Sequence, residues 1–179
     1  MNIKILSLYF LEKILLFMGK DSMKYKIDRY KIYGAKIGEN VRAFSPISSA
    51  ECYLINVGDN VTISGGVKFI THDNSVIKCT DGTDLIGSIT IGDNCFVGMN
   101  TILLPGVTIA DNCIIGAGSV VTRSFLQSGM VIAGNPAKCI CSVEEYADKN
   151  IDKLFNFNEN NRKFKKQIIE KNKSKWLKK

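Results

Sequence analysis

Branched aliphatic residues recur at every sixth position through the middle of the chain. From residue 91 onward they occupy six successive positions of this register: Ile91, Val97, Leu103, Ile109, Ile115 and Val121. A period of six does not match the 3.6-residue turn of a helix, but it fits a short strand of alternating residues followed by a tight corner. Three such units make an 18-residue coil of triangular cross-section. The pattern therefore predicts coils that stack by parallel strand pairing.

Like residues also recur at a spacing of 18, which supports the stacking independently. Cys95 is followed by Cys113, and Asn94 by Asn112. We expect the asparagines to lie at corners with positive φ, which asparagine tolerates best after glycine. The cysteines are predicted to be stacked interior thiols and not metal ligands or disulfides.

The repeat changes phase in its first half. An earlier run of the same period is formed by Val57, Ile63 and Phe69. Residues 57 and 91 are 34 apart, which is not a multiple of six, so an extra loop must interrupt the coils. The irregular stretch is residues 73–84, directly after His72, the only histidine of the chain. A still earlier unit begins at Ile37, and the register slips near "SSAECY".

Composition and charge limit the classes of protein. The 179 residues are 45% hydrophobic and 23% charged, which predicts one folded domain with appendages. Residues 160–179 contain nine basic side chains and one acid, so they account for the net charge of +7. The predicted tail is a solvated basic helix. A nucleic-acid partner is not expected, while attraction to a polyanion or a membrane surface is left open.

The N-terminal segment has apolar runs that Glu12 and Lys13 interrupt. Neither run is long enough to span a bilayer, and no signal-peptide cleavage site follows them. Residues 1–20 are predicted to form an amphipathic helix that packs on its own protein or a sister subunit, with weak peripheral membrane contact as the alternative. Residues 21–36 are expected to lead into the first coil. A cytoplasmic location is expected.

The predicted organisation has three parts. Residues 1–36 form an N-terminal helical capping segment, and residues 37–141 form the β-helix, with a loop insertion at 73–84. Residues 142–179 form the basic helical tail.

Several motifs resemble a known family. The repeats, the histidine followed by an excursion, "IGAGSVVTR" at 115–123 and "VIAGNPAK" at 131–138 are similar to the hexapeptide-repeat acyltransferases. That superfamily includes galactoside, maltose, serine and xenobiotic acetyltransferases, and its fold is a left-handed parallel β-helix. The left hand is implied by the resemblance alone, because general chirality favours right-handed crossovers. The stretch from Tyr53 to Val76 further resembles O-acetyltransferases of bacterial surface-polysaccharide pathways.

The resemblance implies a mechanism and a set of site residues. Acetylation of an alcohol needs a group that removes the hydroxyl proton, and His72 stands where the family keeps this base. Asp73 is a candidate to orient His72 or to bind the acceptor, or it simply turns the chain. The implied donor is acetyl-CoA, in a groove between neighbouring subunits of a homotrimer. The donor contacts carried over by position are Met99, Ala117, Thr122, Arg123 and Lys138.

No metal is expected, since the zinc carbonic anhydrases that share this fold need three histidine ligands. Two departures concern the acceptor side. Galactoside acetyltransferases have a serine where this chain has Met99, and residues 44–48 lack their acceptor-side asparagine. The predicted function is O-acetylation of a sugar hydroxyl of a surface polysaccharide or its precursor. The alternatives are N-acetylation of an amino sugar or nucleotide sugar, xenobiotic acetylation, and a non-catalytic β-helix scaffold.

Overall fold

The computed structural model describes residues 3–158 and 162–177. Its residues form two compact units that divide between Val143 and Glu144. Lys178 and Lys179 of the predicted basic tail lie outside the described residues.

The first unit consists mainly of three parallel sheets. The first sheet contains β1 (Lys36–Ile37), β3 (Ile55–Val57), β8 (Ile89–Ile91) and β11 (Thr108–Ile109). The second sheet contains β5 (Lys68–Phe69), β10 (Ile102–Leu103) and β13 (Val120–Val121). The third sheet contains β2 (Arg42–Ala43), β4 (Thr62–Ile63), β9 (Phe96–Val97), β12 (Ile114–Ile115), β14 (Met130–Gly134) and β15 (Ala137–Ser142), of which β15 alone is antiparallel. The chain passes from sheet to sheet in turn, so it is a parallel β-helix.

The remaining elements lie outside the coils. A two-stranded hairpin is formed by β6 (His72–Asp73) and β7 (Leu85–Ile86). The α-helices are α1 (Ile3–Phe17), α2 (Met23–Ile32), α3 (Val143–Asp148) and α4 (Lys165–Lys171). Short 3-10 helices span Cys52–Leu54, Ser75–Lys78, Ile151–Lys153, Arg162–Phe164 and Lys173–Lys175.

The strand register confirms the predicted spacing of 18. Thr90 pairs with Thr108, and Ile102 pairs with Val120. Between the second and third coils the register is 34, as in the pair Val57 and Ile91, so 16 residues beyond a regular coil lie there. Between the first two coils the register is 20, which leaves two extra residues. Both sets of extra residues lie outside the strands of the three parallel sheets.

The interior of the coils is filled by inward aliphatic side chains of the strands. Fully buried members include Ile55, Ile63, Ile89, Ile91, Val97, Leu103, Ile109 and Ile115. Cys95 and Cys113 are buried as predicted, and burial raises the pKa of the Cys95 thiol to about 11. All six cysteines are free thiols, but Cys79 and Cys139 are exposed, so the prediction of interior thiols is wrong for these two. They lie outside the repeat, where nothing requires an inward side chain.

One corner of the β-helix is locked by side chains that contact the next coil. The asparagines of this corner have φ between 54° and 57°, as predicted: Asn40, Asn60, Asn94 and Asn112. Beside them, aspartate carboxylates accept backbone hydrogen bonds from the preceding coil. The Asp59 N–H donates to Asp93 Oδ1 at 2.8 Å, and the Asp93 N–H donates to Asp111 Oδ1 at 2.8 Å. The carboxylates thus fix the height of one coil above another.

Helix α2 covers the N-terminal end of the β-helix. Its Ile27 and Tyr30 are buried in the same core as the coil residues. Lys26 Nζ donates to the Ala43 carbonyl at 2.6 Å, and the Ala43 N–H donates to Met23 Sδ at 3.2 Å. These contacts satisfy an edge strand that would otherwise be open to pairing. Residues 21–36, which were expected to lead into the first coil, thus contain a helix that caps the β-helix.

Helix α1 packs on α2 and has no fully buried residue. None of the described helices has both the length and the apolar character needed to cross a membrane. In the second unit, α4 is followed by Trp176, whose indole N–H donates to the Ile169 carbonyl at 3.1 Å. The described residues of the predicted basic tail thus contain short helical segments.

We predict that Gly92→Ala destabilises the protein by about 1 to 3 kcal/mol, the usual cost of overpacking. A Cβ at Gly92 would lie 2.2 Å from Asp111 Oδ1 and 2.8 Å from the Asp111 backbone nitrogen. Gly65→Ala is the matched control, because its nearest contact would be Met99 Cε at 3.9 Å. Urea unfolding at equal protein concentration measures both. Equal losses in the two variants would contradict the locking of coils at this corner.

Candidate active site

His72 lies where the chain leaves the coils. It follows β5 of the second sheet and begins the hairpin, in which His72 pairs with Ile86. The Gly87 N–H donates to the Thr71 carbonyl at 2.9 Å, which closes the excursion and returns the chain to its coil. The His72 side chain is 37% exposed. The 16 extra residues therefore present an accessible imidazole on a rigid support.

A carboxylate that sequence reasoning missed holds the imidazole. His72 Nδ1 lies 2.9 Å from Glu51 Oε2. An ionised carboxylate can only accept a hydrogen bond, so Nδ1 carries the proton in this contact. In the neutral imidazole, Nε2 then has the free lone pair that a general base needs. Glu51 thus selects the tautomer as well as the ring orientation.

Glu51 is itself held by a buried threonine hydroxyl, which a serine hydroxyl contacts in turn. Thr71 Oγ1 donates to Glu51 Oε2 at 2.6 Å, and the Thr71 side chain is fully buried. Since the single proton of Thr71 points to Glu51, the Ser49 hydroxyl is the donor in its contact with Thr71 Oγ1. The chain of hydrogen bonds runs from Ser49 through Thr71 to Glu51. The carboxylate that orients His72 is therefore fixed from within the coil.

The contact changes the acidity of both partners. Hydrogen bonds from Thr71 and His72 hold the pKa of the Glu51 carboxyl below its usual value. The hydrogen bond to Glu51 and its negative charge raise the pKa of His72 above its ordinary value near 6.5. His72 accordingly becomes a neutral base only at a pH above its raised pKa. The proton is held more strongly, so the base is also a stronger one.

Glu51 was missed because its approach depends on a register shift. It belongs to the stretch "SSAECY", where the two extra residues between the first and second coils are carried. The slip in the repeat was visible in the sequence. The carboxylate within it was the sequence feature that could have indicated a partner for His72. Its distance from His72 could not be deduced, because the two are 21 residues apart and the coil is irregular between them.

Asp73 has a different role from the orienting one considered for it. Its Oδ1 accepts a hydrogen bond from the Ser75 N–H at 2.9 Å, which also lowers the pKa of the Asp73 carboxyl. This contact turns the chain into the 3-10 helix that follows. The orienting carboxylate of His72 is Glu51, and acceptor binding by Asp73 stays a prediction.

Three of the five predicted donor contacts lie near one corner. Met99 and Ala117 follow β9 and β12 of the third sheet, and the Gly118 N–H donates to the Met99 carbonyl at 2.7 Å. Lys138 lies on β15, the last strand of the same sheet, where it pairs with Ala133 of β14. All three side chains are exposed. Met99 and Ala117 thus lie at the corner between the third and second sheets, and Lys138 is paired with Ala133 at the end of the third sheet.

The other two predicted contacts lie at the next corner. Thr122 and Arg123 follow β13 of the second sheet, as His72 follows β5 of that sheet. Both side chains are exposed, and the Arg123 guanidinium lies 5.4 Å from the centre of the Phe125 ring. β5 and β13 are two strands apart, or about 10 Å. One chain therefore does not bring all five residues to His72 at a single corner.

Within residues 3–158 and 162–177, no three or more His, Cys, Asp or Glu side chains are grouped so that they could hold a metal ion.

Known proteins match the chain over its repeat region and beyond. Residues 88–123 match the family model "Bacterial transferase hexapeptide (six repeats)". The chain is similar to protein CapG from Staphylococcus aureus, with 42% identity over 143 residues, which cover 74% of this chain and 83% of CapG. A maltose O-acetyltransferase from Clostridium difficile has a similar structure, with a TM-score of 0.52 and 25% identity over 77% of this chain and 87% of that one.

Other relatives extend the comparison. A galactoside acetyltransferase solved with coenzyme A has the same fold, with a TM-score of 0.54 and 24% identity over 89% of this chain and 90% of that one. Three curated acetyltransferases are 34% to 43% identical to the chain, which spans 57% to 61% of their length.

We predict that Glu51→Gln shifts the acid limb of the rate profile. Because kcat/KM requires neutral His72, activity should rise with pH through the raised pKa of that group. Removing the Glu51 charge lowers the pKa of His72, so the rise should occur at lower pH. The maximal rate should still fall by about tenfold or more, because the imidazole loses its orienting partner. The measurement is kcat/KM for acetyl transfer against pH.

Asp73→Asn is the comparison variant, since its carboxylate is adjacent to His72 in sequence but bonds to Ser75. Its acid limb should move less than that of Glu51→Gln. A larger shift for Asp73→Asn would contradict the assignment of Glu51 as the orienting carboxylate.

Proposed function

The chain belongs to the hexapeptide-repeat acyltransferase family, and on that basis we propose that it transfers an acetyl group from acetyl-CoA to a sugar hydroxyl of a surface polysaccharide or its precursor. It is an acyltransferase, and acetyl-CoA is its acyl donor. The observation that carries the proposal is the contact between Glu51 and His72, which leaves Nε2 as a base on an accessible ring.

The geometry supports direct transfer with His72 as the general base. His72 Nε2 takes the proton of the acceptor hydroxyl while that oxygen attacks the acyl carbon. The carbon–oxygen bond forms, the carbon–sulfur bond breaks, and the imidazolium proton is available to the departing sulfur. Glu51 stabilises the imidazolium by its charge and keeps Nδ1 protonated throughout. No covalent intermediate on the protein is needed.

The exposed side chains of the two corners suit a nucleotide thioester. Arg123 and Lys138 offer cations for phosphate groups. Ala117 has a small side chain at its corner, which lets an extended chain approach the backbone there. Met99 offers no side-chain hydroxyl, so an oxyanion donor at this position has to be a backbone N–H. These residues suit the binding of acetyl-CoA, but one chain does not bring all of them together with His72.

As part of the proposal we expect a homotrimer, which the family resemblance implies and which the position of the two corners supports. Met99, Ala117 and Lys138 lie at a different corner from His72, so a donor held there would meet the histidine of a neighbouring subunit. We expect left-handed coils, as in the family, and a cytoplasmic enzyme. Support for a sugar acceptor comes from the solved maltose O-acetyltransferase and from the resemblance of Tyr53–Val76 to polysaccharide O-acetyltransferases. The lack of an asparagine at residues 44–48 disfavours a simple galactoside.

We predict that His72→Ala loses about 100-fold or more of the transfer rate, the usual contribution of a general base. Thiol release from acetyl-CoA is measured with mono- and oligosaccharides, amino sugars, nucleotide sugars and antibiotics as acceptors. Calorimetric binding of acetyl-CoA is the control, and it should be unchanged because His72 acts on the acceptor.

The acceptor panel separates the alternatives. Release with hydroxyl acceptors that the variant abolishes supports the proposal. Release only with amino sugars would replace O-acetylation by N-acetylation, and release only with antibiotics would indicate a xenobiotic acetyltransferase. Failure to bind acetyl-CoA would leave a scaffold, and full activity in His72→Ala would exclude this histidine as the base.

A further inference from the structure

Helix α1 has two apolar faces, of which only one is covered. The half-buried side is turned toward α2 and consists of Ile5, Leu8, Glu12 and Leu15. On the opposite side, large apolar side chains follow one another at helical spacing and are all exposed: Ile3, Leu6, Phe10, Ile14 and Phe17. We name these five residues the outer stripe. Phe17 is 95% exposed, which is unusual for a side chain of this size on an ordered helix.

The charges around the outer stripe are positive. Residues 3–32 carry seven basic and three acidic side chains, whereas residues 37–143 carry five basic and eight acidic ones. Lys13 is exposed and borders the stripe, since it lies three residues after Phe10 and four before Phe17. The N-terminal helices are therefore the basic part of an otherwise acidic first unit.

The single acid of α1 is withdrawn from the outer surface. Glu12 Oε2 lies 3.0 Å from the Arg29 guanidinium of α2, and both side chains are 13% exposed. The same guanidinium lies 5.2 Å from the centre of the Tyr9 ring. The pair holds α1 on the cap of the β-helix and neutralises its negative charge. The exposed side of α1 accordingly combines apolar side chains with Lys13 and no carboxylate.

We propose that the outer stripe of α1 docks on an anionic membrane surface, with the helix lying in the plane of the interface. Apolar residues that enter the boundary of the acyl chains and lysines that meet anionic headgroups are the two components of such binding. Helix α1 is about 22 Å long, shorter than the ~30 Å hydrocarbon core, so it lies on the bilayer and does not cross it. This inference concerns location and is independent of the proposed acetyl transfer.

A second copy of the chain fits the stripe less well. A pair of helices of this length covers roughly 22 by 10 Å on each partner, well below the ~800 Å² of a stable interface. Pairing of two stripes would also bring the Lys13 ammonium groups of both copies together. An anionic bilayer attracts these lysines and can cover the whole stripe.

The test is flotation of the full-length protein with vesicles. We predict binding to phosphatidylcholine vesicles that contain phosphatidylglycerol, weaker binding to pure phosphatidylcholine, and a decrease with added salt. The double variant Phe10→Ser/Phe17→Ser should lose binding by at least about tenfold, since two large apolar groups no longer enter the bilayer. Leu126→Ser/Ile151→Ser is the matched control, because both residues are exposed and lie outside α1.

A second variant keeps the helix apolar and guards against misfolding of the first. Phe10→Trp in a Trp176→Phe background has one tryptophan, on the outer stripe. Its emission should shift to the blue when anionic vesicles are added. The proposal is overturned if the emission does not shift, or if Phe10→Ser/Phe17→Ser binds as well as the control, in which case the basic tail carries any attraction. It is also overturned if that variant instead loses a subunit contact, as measured by light scattering.

Discussion

The structure depends on the register between coils, which fixes each strand residue above its partner in the next coil. Parallel hydrogen bonds join the strands of successive coils, and the interior is filled by their inward aliphatic side chains. A change of one residue within a strand would turn its inward side chain outward. Extra residues can therefore be accommodated only where the chain leaves the strands, at corners or in excursions.

The two places where extra residues occur are the places where the site is built. The 16 residues between the second and third coils lift His72 out of the repeat, and the two residues between the first and second coils bring Glu51 to it. The regular coils supply the rigidity, through buried Thr71 and the backbone beside it. The hydrogen bond between Glu51 and His72 at the surface is thus supported by the packed interior of the coils.

Much of the fold could be predicted because the repeat acts on every coil alike. The period of six gave the strands, the spacing of 18 gave the pairing of Ile102 with Val120, and corner asparagines such as Asn94 have the expected φ. Residues 1–36 were predicted as a helical capping segment, but the separate helix at Met23–Ile32 was not located within it, because its buried Ile27 and Tyr30 are interleaved with lysines. Its role as a cap becomes visible only in the fold, where it contacts the edge strand at Ala43.

The site was predictable in part for the same reason. His72 was marked by the break in the repeat, but proximity in sequence pointed to Asp73, while the contact is made by Glu51 from the preceding coil. The predicted donor residues lie at two corners because some of them follow strands of the third sheet and others follow a strand of the second sheet. Such contacts between coils depend on the number of extra residues in each turn, which the repeat pattern does not encode.

Nitrogen NMR of the imidazole tests the central claim most directly, because the chain has a single histidine and the signals need no assignment. The account predicts a neutral form protonated at Nδ1, with a pKa above 6.5 that falls in Glu51→Gln. A neutral form protonated at Nε2, or a pKa that does not respond to Glu51, would contradict the account of His72 as a base oriented by that carboxylate.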